Sequence, residues 1–216
     1  MSFERYRRDV AEFVGEGLNP ALGCERLGDQ RLRVTVCSDV PGCSAEMIHW
    51  WMGYMRTPAD YRLWHPGDHE WMDWDELYAP GRYVGASHLV HERIGGEMQK
   101  LRIHFFDAQR VMPATAPTVD LALCGRTGML ERPLDVGWLV HLVRDTAAGC
   151  EVRSRFWLGD VGARDPRYAA SAWLANRGLM RRRLAPDHLG IDLERHCREE
   201  MENFASFLPE LWSQRL

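Results

Sequence analysis

A chain of 216 residues with 45% hydrophobic and 27% charged side chains has the make-up of a folded domain, which excludes disordered, collagen-like and membrane-embedded classes. Its net charge of −4 supplies no global field for nucleic acid or anionic lipid, so neither is an expected partner. Nine tryptophans are the compositional outlier, and they suit either a large core or a pocket for a flat aromatic ligand.

From the N-terminus, Phe3, Tyr6, Val10 and Phe13 recur at helical intervals until Gly15 and Gly17. Residues 31–40 alternate as a strand, and residues 41–55 read as a helix capped by Ser44. The stretch TPADYRLWHPGDHEW then reads as turn-rich and broken at Pro66. A period of two follows in five strand candidates: residues 82–94, 96–106, 118–126, 135–145 and 150–160. IGGE at 94–97 predicts a tight hairpin between the first two, and DTAAG at 145–149 joins the last two. After Pro166 a helical segment carries Tyr168, Trp173, Leu174 and Leu179. The basic run Arg181–Arg183 suits a helix C-terminus ahead of Pro186. A final helix follows, with Asp187 or Asp192 as its cap. The predicted class is α+β, with residues 1–216 as a single domain and a bent antiparallel sheet wrapped around a long C-terminal helix.

The cysteines at 24, 37, 43, 124, 150 and 197 form no C-x-x-C pair, MSFERYRRDV lacks the apolar run of a signal peptide, and no apolar stretch approaches the ~20 residues that span a bilayer. Reduced thiols in a cytoplasmic protein are the expectation.

In the last helix Leu193, Cys197, Phe204, Phe207, Leu208 and Leu211 form an apolar stripe, and His196 and Glu200 lie inside it one turn apart. Two buried polar groups need partners. An internal His–Glu pair, or an arginine from the sheet, would serve. So would a divalent ion held by both, given ligands from elsewhere. WHPGDHEW offers His65 and His69, although these can equally pin a loop; in HLVHERIGGE, His88 and Glu92 share one strand face, although Glu92 can equally pair with an arginine. There is no H-E-x-x-H, G-x-S-x-G, phosphate-binding loop or dinucleotide fingerprint.

Taken in order, Y-x-x-W-H-P-x-D-H (61–69), H-x-x-x-E-x-I-G-G-E (88–97), GWLVHL (137–142), H-x-x-x-E (196–200) and FLPELW resemble the 2,4-diacetylphloroglucinol hydrolases and the related phloretin hydrolases. The resemblance covers residues 45–212 and leaves 1–44 as a leading helix and strand. It implies a helix-grip fold similar to Bet v 1 and START domains. It further implies a zinc ion (Zn2+) held by His69, Glu92, His196 and Glu200, with His65 as alternate for His69. The implied reaction is hydrolysis of the carbon–carbon bond between a phenolic, phloroglucinol-like ring and an acyl group, by metal-activated water attack on the acyl carbonyl.

By the same resemblance Tyr61 and His141 are the candidate catalytic groups, the second aligned inward with Leu139 and Val143 by strand parity, and Tyr61, Trp64 and Phe156 are candidate substrate contacts. A family tyrosine is replaced near Phe156, which points to a less hydroxylated substrate. The expected partner is a small aromatic ketone, and an exposed leading helix makes a homodimer the default. Two other readings stay open: a non-catalytic helix-grip carrier of an apolar ligand, and a metal enzyme of this fold with a different reaction.

Overall fold

The alternating stretches fold as antiparallel strands in a computed structural model that describes residues 3–215. The strands are β1 (Gly23–Arg26), β2 (Leu32–Pro41), β3 (His69–Trp74), β4 (Ser87–Ile94), β5 (Glu97–Phe106), β6 (Leu121–Met129), β7 (Leu134–Thr146) and β8 (Gly149–Ala163). They form one sheet in the order β1-β2-β8-β7-β6-β5-β4-β3. The β4–β5 hairpin turns at Gly95 and Gly96, whose φ values of 63° and 83° lie where a side chain is strained. β2 crosses to pair with β8, Leu32 opposite Leu158, so both edges are short strands, β1 and β3.

The helices are α1 (Phe3–Gly15), α2 (Ala45–Tyr54), α3 (Pro58–Trp64), α4 (Ala169–Ala175), α5 (Gly178–Leu184) and α6 (Asp187–Ser213). Ser44 caps α2 by accepting from the Met47 N–H, as expected. α6 lies along one face of the sheet, packing on β1 and β2 and reaching β4, α2 and α3. Its buried stripe of Leu193, Cys197, Met201, Phe204 and Leu208 joins the main core. This is the helix-grip arrangement.

The opposite face is covered too. α1 buries Tyr6, Val10 and Phe13 completely against Trp138, Val140, Leu142 and Trp157. The Tyr6 hydroxyl donates to the Leu139 carbonyl at 2.6 Å, and its ring stacks on Trp138. The leading helix is therefore packed on the sheet along its apolar face and is not an exposed arm.

Other differences have local causes. Residues 57–74 are not a turn-rich loop: Thr57 and Asp60 form a capping box with Pro58 in the first turn, which nucleates the seven-residue α3, and β3 starts at His69. The segment after Pro166 splits into α4 and α5, and Trp173, Leu174 and Leu179 are exposed. Neither predicted aspartate caps α6. Pro186 occupies that position without a side-chain bond, and Asp187 pairs with Arg26. All six cysteines are free thiols, and no helix among the described residues is long and apolar enough to cross a membrane.

Candidate active site

Four elements bring the polar groups together. The α3 cap buries Tyr61 and Trp64, and the following turn sets His69 at the start of β3, directly opposite Glu92 of β4. From α6, His196 and Glu200 point to the same place. Trp64 stacks on Phe204, and Trp51 meets Phe207 edge-on, so the helix is anchored just beyond its two polar residues.

The result is a buried cluster. His69 Nε2 lies 3.7 Å from Glu200 Oε2 and 3.9 Å from Glu92 Oε2, and His196 Nε2 lies 4.0 Å from Glu200 Oε2. His69, His196 and Glu200 offer atoms close enough to hold one metal ion. The Tyr61 hydroxyl donates to Glu92 Oε2 in a short bond, and its ring stacks on His69 at 3.7 Å.

Hydrogen bonding on the far side of each imidazole decides what the near side can do. His69 Nδ1 lies 3.0 Å from the Tyr61 carbonyl, which can only accept, so Nδ1 carries the proton and Nε2 presents a lone pair. His196 Nδ1 faces Asp68 Oδ2 at 3.2 Å, which holds a proton on Nδ1 and leaves the Nε2 lone pair to the cluster whenever the ring is neutral. His69 Nε2 is buried and has no hydrogen-bond partner, which is costly unless an electron-pair acceptor occupies the cluster. His65 is wired the other way: its Nδ1 accepts the Asp68 backbone N–H at 3.1 Å, so Nε2 bears the proton and faces Glu199 at 3.2 Å. The alternate His65 stacks on His196 with ring centroids 4.8 Å apart, and with Asp68 and His196 it forms a second group whose atoms are close enough to hold a metal ion.

The charges agree. Burial lifts the Glu200 carboxyl to about 8, with the Glu92 charge adding to the rise against His196. Burial drives His69 down to about 2, the neutral form a metal ligand requires. Burial also opposes charge on His196, but Glu200, Glu92 and Asp68 outweigh it and raise that group. His69, His196 and Glu200, two imidazoles and a carboxyl, are donors of the kinds that hold a divalent metal ion, and Glu92 Oε2 lies 3.9 Å from His69 Nε2 beside them.

The cluster opens onto a narrow chamber of about 60 Å³. Tyr61, Trp64, His141 and Phe156 all line it, as do Leu139 and Val143. His141 Nδ1 sits 2.7 Å from Ser154 Oγ, and burial pushes this histidine down to about 4. Phe156 meets His141 edge-on. A second, larger cavity of about 530 Å³ adjoins it across Ile103, Leu139, Phe156 and Leu193.

Two residues stand out here that sequence reasoning did not assign. His88, four residues before Glu92 on the same face, lines the narrow chamber with Nε2 buried and unpartnered, and burial lowers it to about 3. Its shared parity with Glu92 was the available signal. Asp68 holds His196, and nothing short of the folded turn could show that contact.

Residues 3–213 match the family described as the DAPG hydrolase PhiG domain. Two relatives named 2,4-diacetylphloroglucinol hydrolase, from Pseudomonas sp and Pseudomonas protegens, are each 26% identical over 81% of this chain; the match covers 64% and 62% of their own lengths. The chain thus spans less than two thirds of the curated relatives it matches. Among solved structures, Ara h 8.0201 aligns with a TM-score of 0.45 and 10% identity over 83% of this chain and 97% of its own. Major latex-like protein 151 from Panax ginseng aligns at 0.40 and 13%, over 76% and 95%.

Proposed function

The chain belongs to the DAPG hydrolase PhiG domain family, and from that premise we propose that it is a zinc-dependent hydrolase of aryl ketones, cleaving the bond between an acylphloroglucinol-like ring and its acyl carbon. One observation carries the reading: the partnerless Nε2 of His69, buried between Glu92, Glu200 and the lone pair of His196.

Hydrolysis adds water across the aryl–acyl bond. The water oxygen joins the acyl carbon, the ring carbon keeps the bonding electrons and takes up a proton, and a carboxylic acid leaves. His69, Glu92, His196 and Glu200 would hold the zinc, which supplies Lewis acidity to the acyl carbonyl and lowers the pKa of water toward ~7. Tyr61 fixes the Glu92 carboxylate through its hydroxyl and pins the His69 ring by stacking. Asp68 and the Tyr61 carbonyl hold the two imidazole tautomers. His141, hydrogen-bonded to Ser154 on the chamber wall, is the group we assign to relay a proton toward the ring carbon. Trp64 and Phe156 wall the chamber and keep bulk water from the acyl carbon beside the cluster.

Elemental analysis of the purified protein beside Glu200→Ala tests the metal: about one divalent ion per chain in the parent and its loss in the variant are expected. A parent without metal, and a variant equally stable and equally empty, would overturn the reading. Release of free carboxylic acid from a panel of acylphloroglucinols tests the chemistry. A protein that binds these ketones and releases no acid from any of them is a carrier, or an enzyme of another reaction.

A further inference from the structure

The two adjoining cavities are unequal in size and in chemistry. The narrow chamber beside the cluster, at about 60 Å³, has room for a few waters' worth of volume, since one water needs ~10–15 Å³ by the same measure. An acyl carbon with a short substituent fits there; a substituted ring does not. The neighbouring cavity, at about 530 Å³, is of the size that holds a whole small-molecule ligand, ~300–1,000 Å³. The ring of any substrate whose acyl carbon reaches the cluster must therefore extend into it.

That larger cavity is ill suited to a bare polyhydroxylated ring. Its far wall is Leu158, Val161, Leu184 and Leu189, facing Leu101 and Met129, which are cross-strand partners on β5 and β6. Its polar lining is sparse: Glu92 at the cluster end, and Gln99 and Thr127 on the strands. Lys100 and Glu131 bond each other at 2.5 Å with largely exposed side chains. Ring hydroxyls thus find few partners in this cavity, and most of its wall offers a substituent hydrocarbon. Leu184 lines this cavity yet is 55% exposed, so the apolar wall runs out to the surface at the mouth.

Resting on the hydrolase reading above, we infer that the substrate is a short-chain acyl phenol whose ring carries an extended apolar substituent, an alkyl or isoprenoid chain, lying along Leu158, Val161, Leu184 and Leu189. The short acyl group occupies the narrow chamber, and the chain fills the larger cavity and leaves through the mouth at Leu184. Each methylene taken out of water raises kcat/KM by about fourfold if its burial is held in the transition state.

The test is two series of acylphloroglucinols given to the purified enzyme with its metal. In one the acyl group is acetyl and the ring substituent grows from hydrogen through ethyl and butyl to hexyl. In the other the ring is unsubstituted and the acyl group grows from acetyl to octanoyl. We expect kcat/KM for acid release to rise at least tenfold along the first series and to fall along the second. Leu184→Trp, which narrows the mouth at an already exposed position, should reduce the hexyl-to-hydrogen ratio several-fold with an unchanged melting temperature. A flat or falling first series, or a rising second one, overturns the inference while leaving the hydrolase reading intact. Acid release from no member of either series overturns the hydrolase reading itself.

Discussion

Replacing Asp68 by alanine removes the acceptor that holds the proton on His196 Nδ1, at 3.2 Å, and touches no group of the cluster itself. Without it the ring is free to tautomerise and to rotate, and the Nε2 lone pair is no longer fixed toward Glu200. Loss of such an outer partner typically lowers metal affinity 10–100-fold, about 1.4–2.7 kcal/mol. His65→Gln is the matched control. It lies in the same turn and stacks on the same His196, yet its Nδ1 accepts a backbone N–H, which commits its Nε2 to donation toward Glu199. Competition for zinc against a chromophoric chelator measures both. The expected outcome is a 10–100-fold weaker Asp68→Ala and a His65→Gln within about threefold of the parent, with both variants melting normally. Equal affinity in Asp68→Ala, or an equal loss in His65→Gln, would refute the assignment of lone pairs.

Tyr61→Phe keeps the stack on His69 but deletes the donor to Glu92; a hydrogen bond to a charged group contributes about 1.5–3 kcal/mol, so kcat/KM for acid release should fall roughly 10–100-fold with metal content unchanged, as steady-state kinetics on metal-loaded protein will show. Glu16 makes two 2.7 Å bonds to the buried guanidinium of Arg155, which hold its carboxyl below the ordinary 4.5. A depressed folded pKa contributes stability that is present above the unfolded value and disappears as pH falls through the folded one. Urea titrations should therefore find Glu16→Gln about 1–3 kcal/mol less stable than the parent at pH 7, with the gap closing below pH 4.5. Gly95→Ala places a Cβ against the Asp192 carboxylate at a φ of 63°, so a destabilisation of at least ~1–2 kcal/mol is expected by thermal melt; an unchanged melting temperature would show that the hairpin shifts freely away from α6.

Legibility in the sequence followed the length of each repeating pattern. β4 to β8 and α6 each extend over enough residues for their period to show, and IGGE announced its turn through two glycines that the backbone needs at positive φ. α3 and β1, at seven and four residues, carry no readable period. α3 was nevertheless signalled by Thr57, Pro58 and Asp60, a capping pattern outweighed by the Pro and Gly around it. Polar residues on the α6 stripe marked half of the cluster, and strand parity marked Glu92 and His88. Choosing between His65 and His69 was beyond the sequence, because the choice depends on which backbone group each Nδ1 meets. The exposed apolar residues of α4 and α5 mark a related limit: a helical period says which residues share a face, and not whether anything covers it.

His69 is the first residue of β3, and β3 is an outer strand hydrogen-bonded on one side only, to β4. Edge strands fray at a free-energy cost well below that of global unfolding. The cluster therefore joins an edge strand, β3, to the long helix α6 packed across the sheet. In amide hydrogen exchange, β7 and β8, flanked on both sides, should be released only when the whole sheet melts, while β3 exchanges earlier through local opening. If His69 is a metal ligand as proposed, added zinc should slow exchange in β3 far more than in β8. On heating, catalytic competence should disappear several degrees before the sheet signal does, because the chain can lose one ligand to solvent while the rest of its architecture stands.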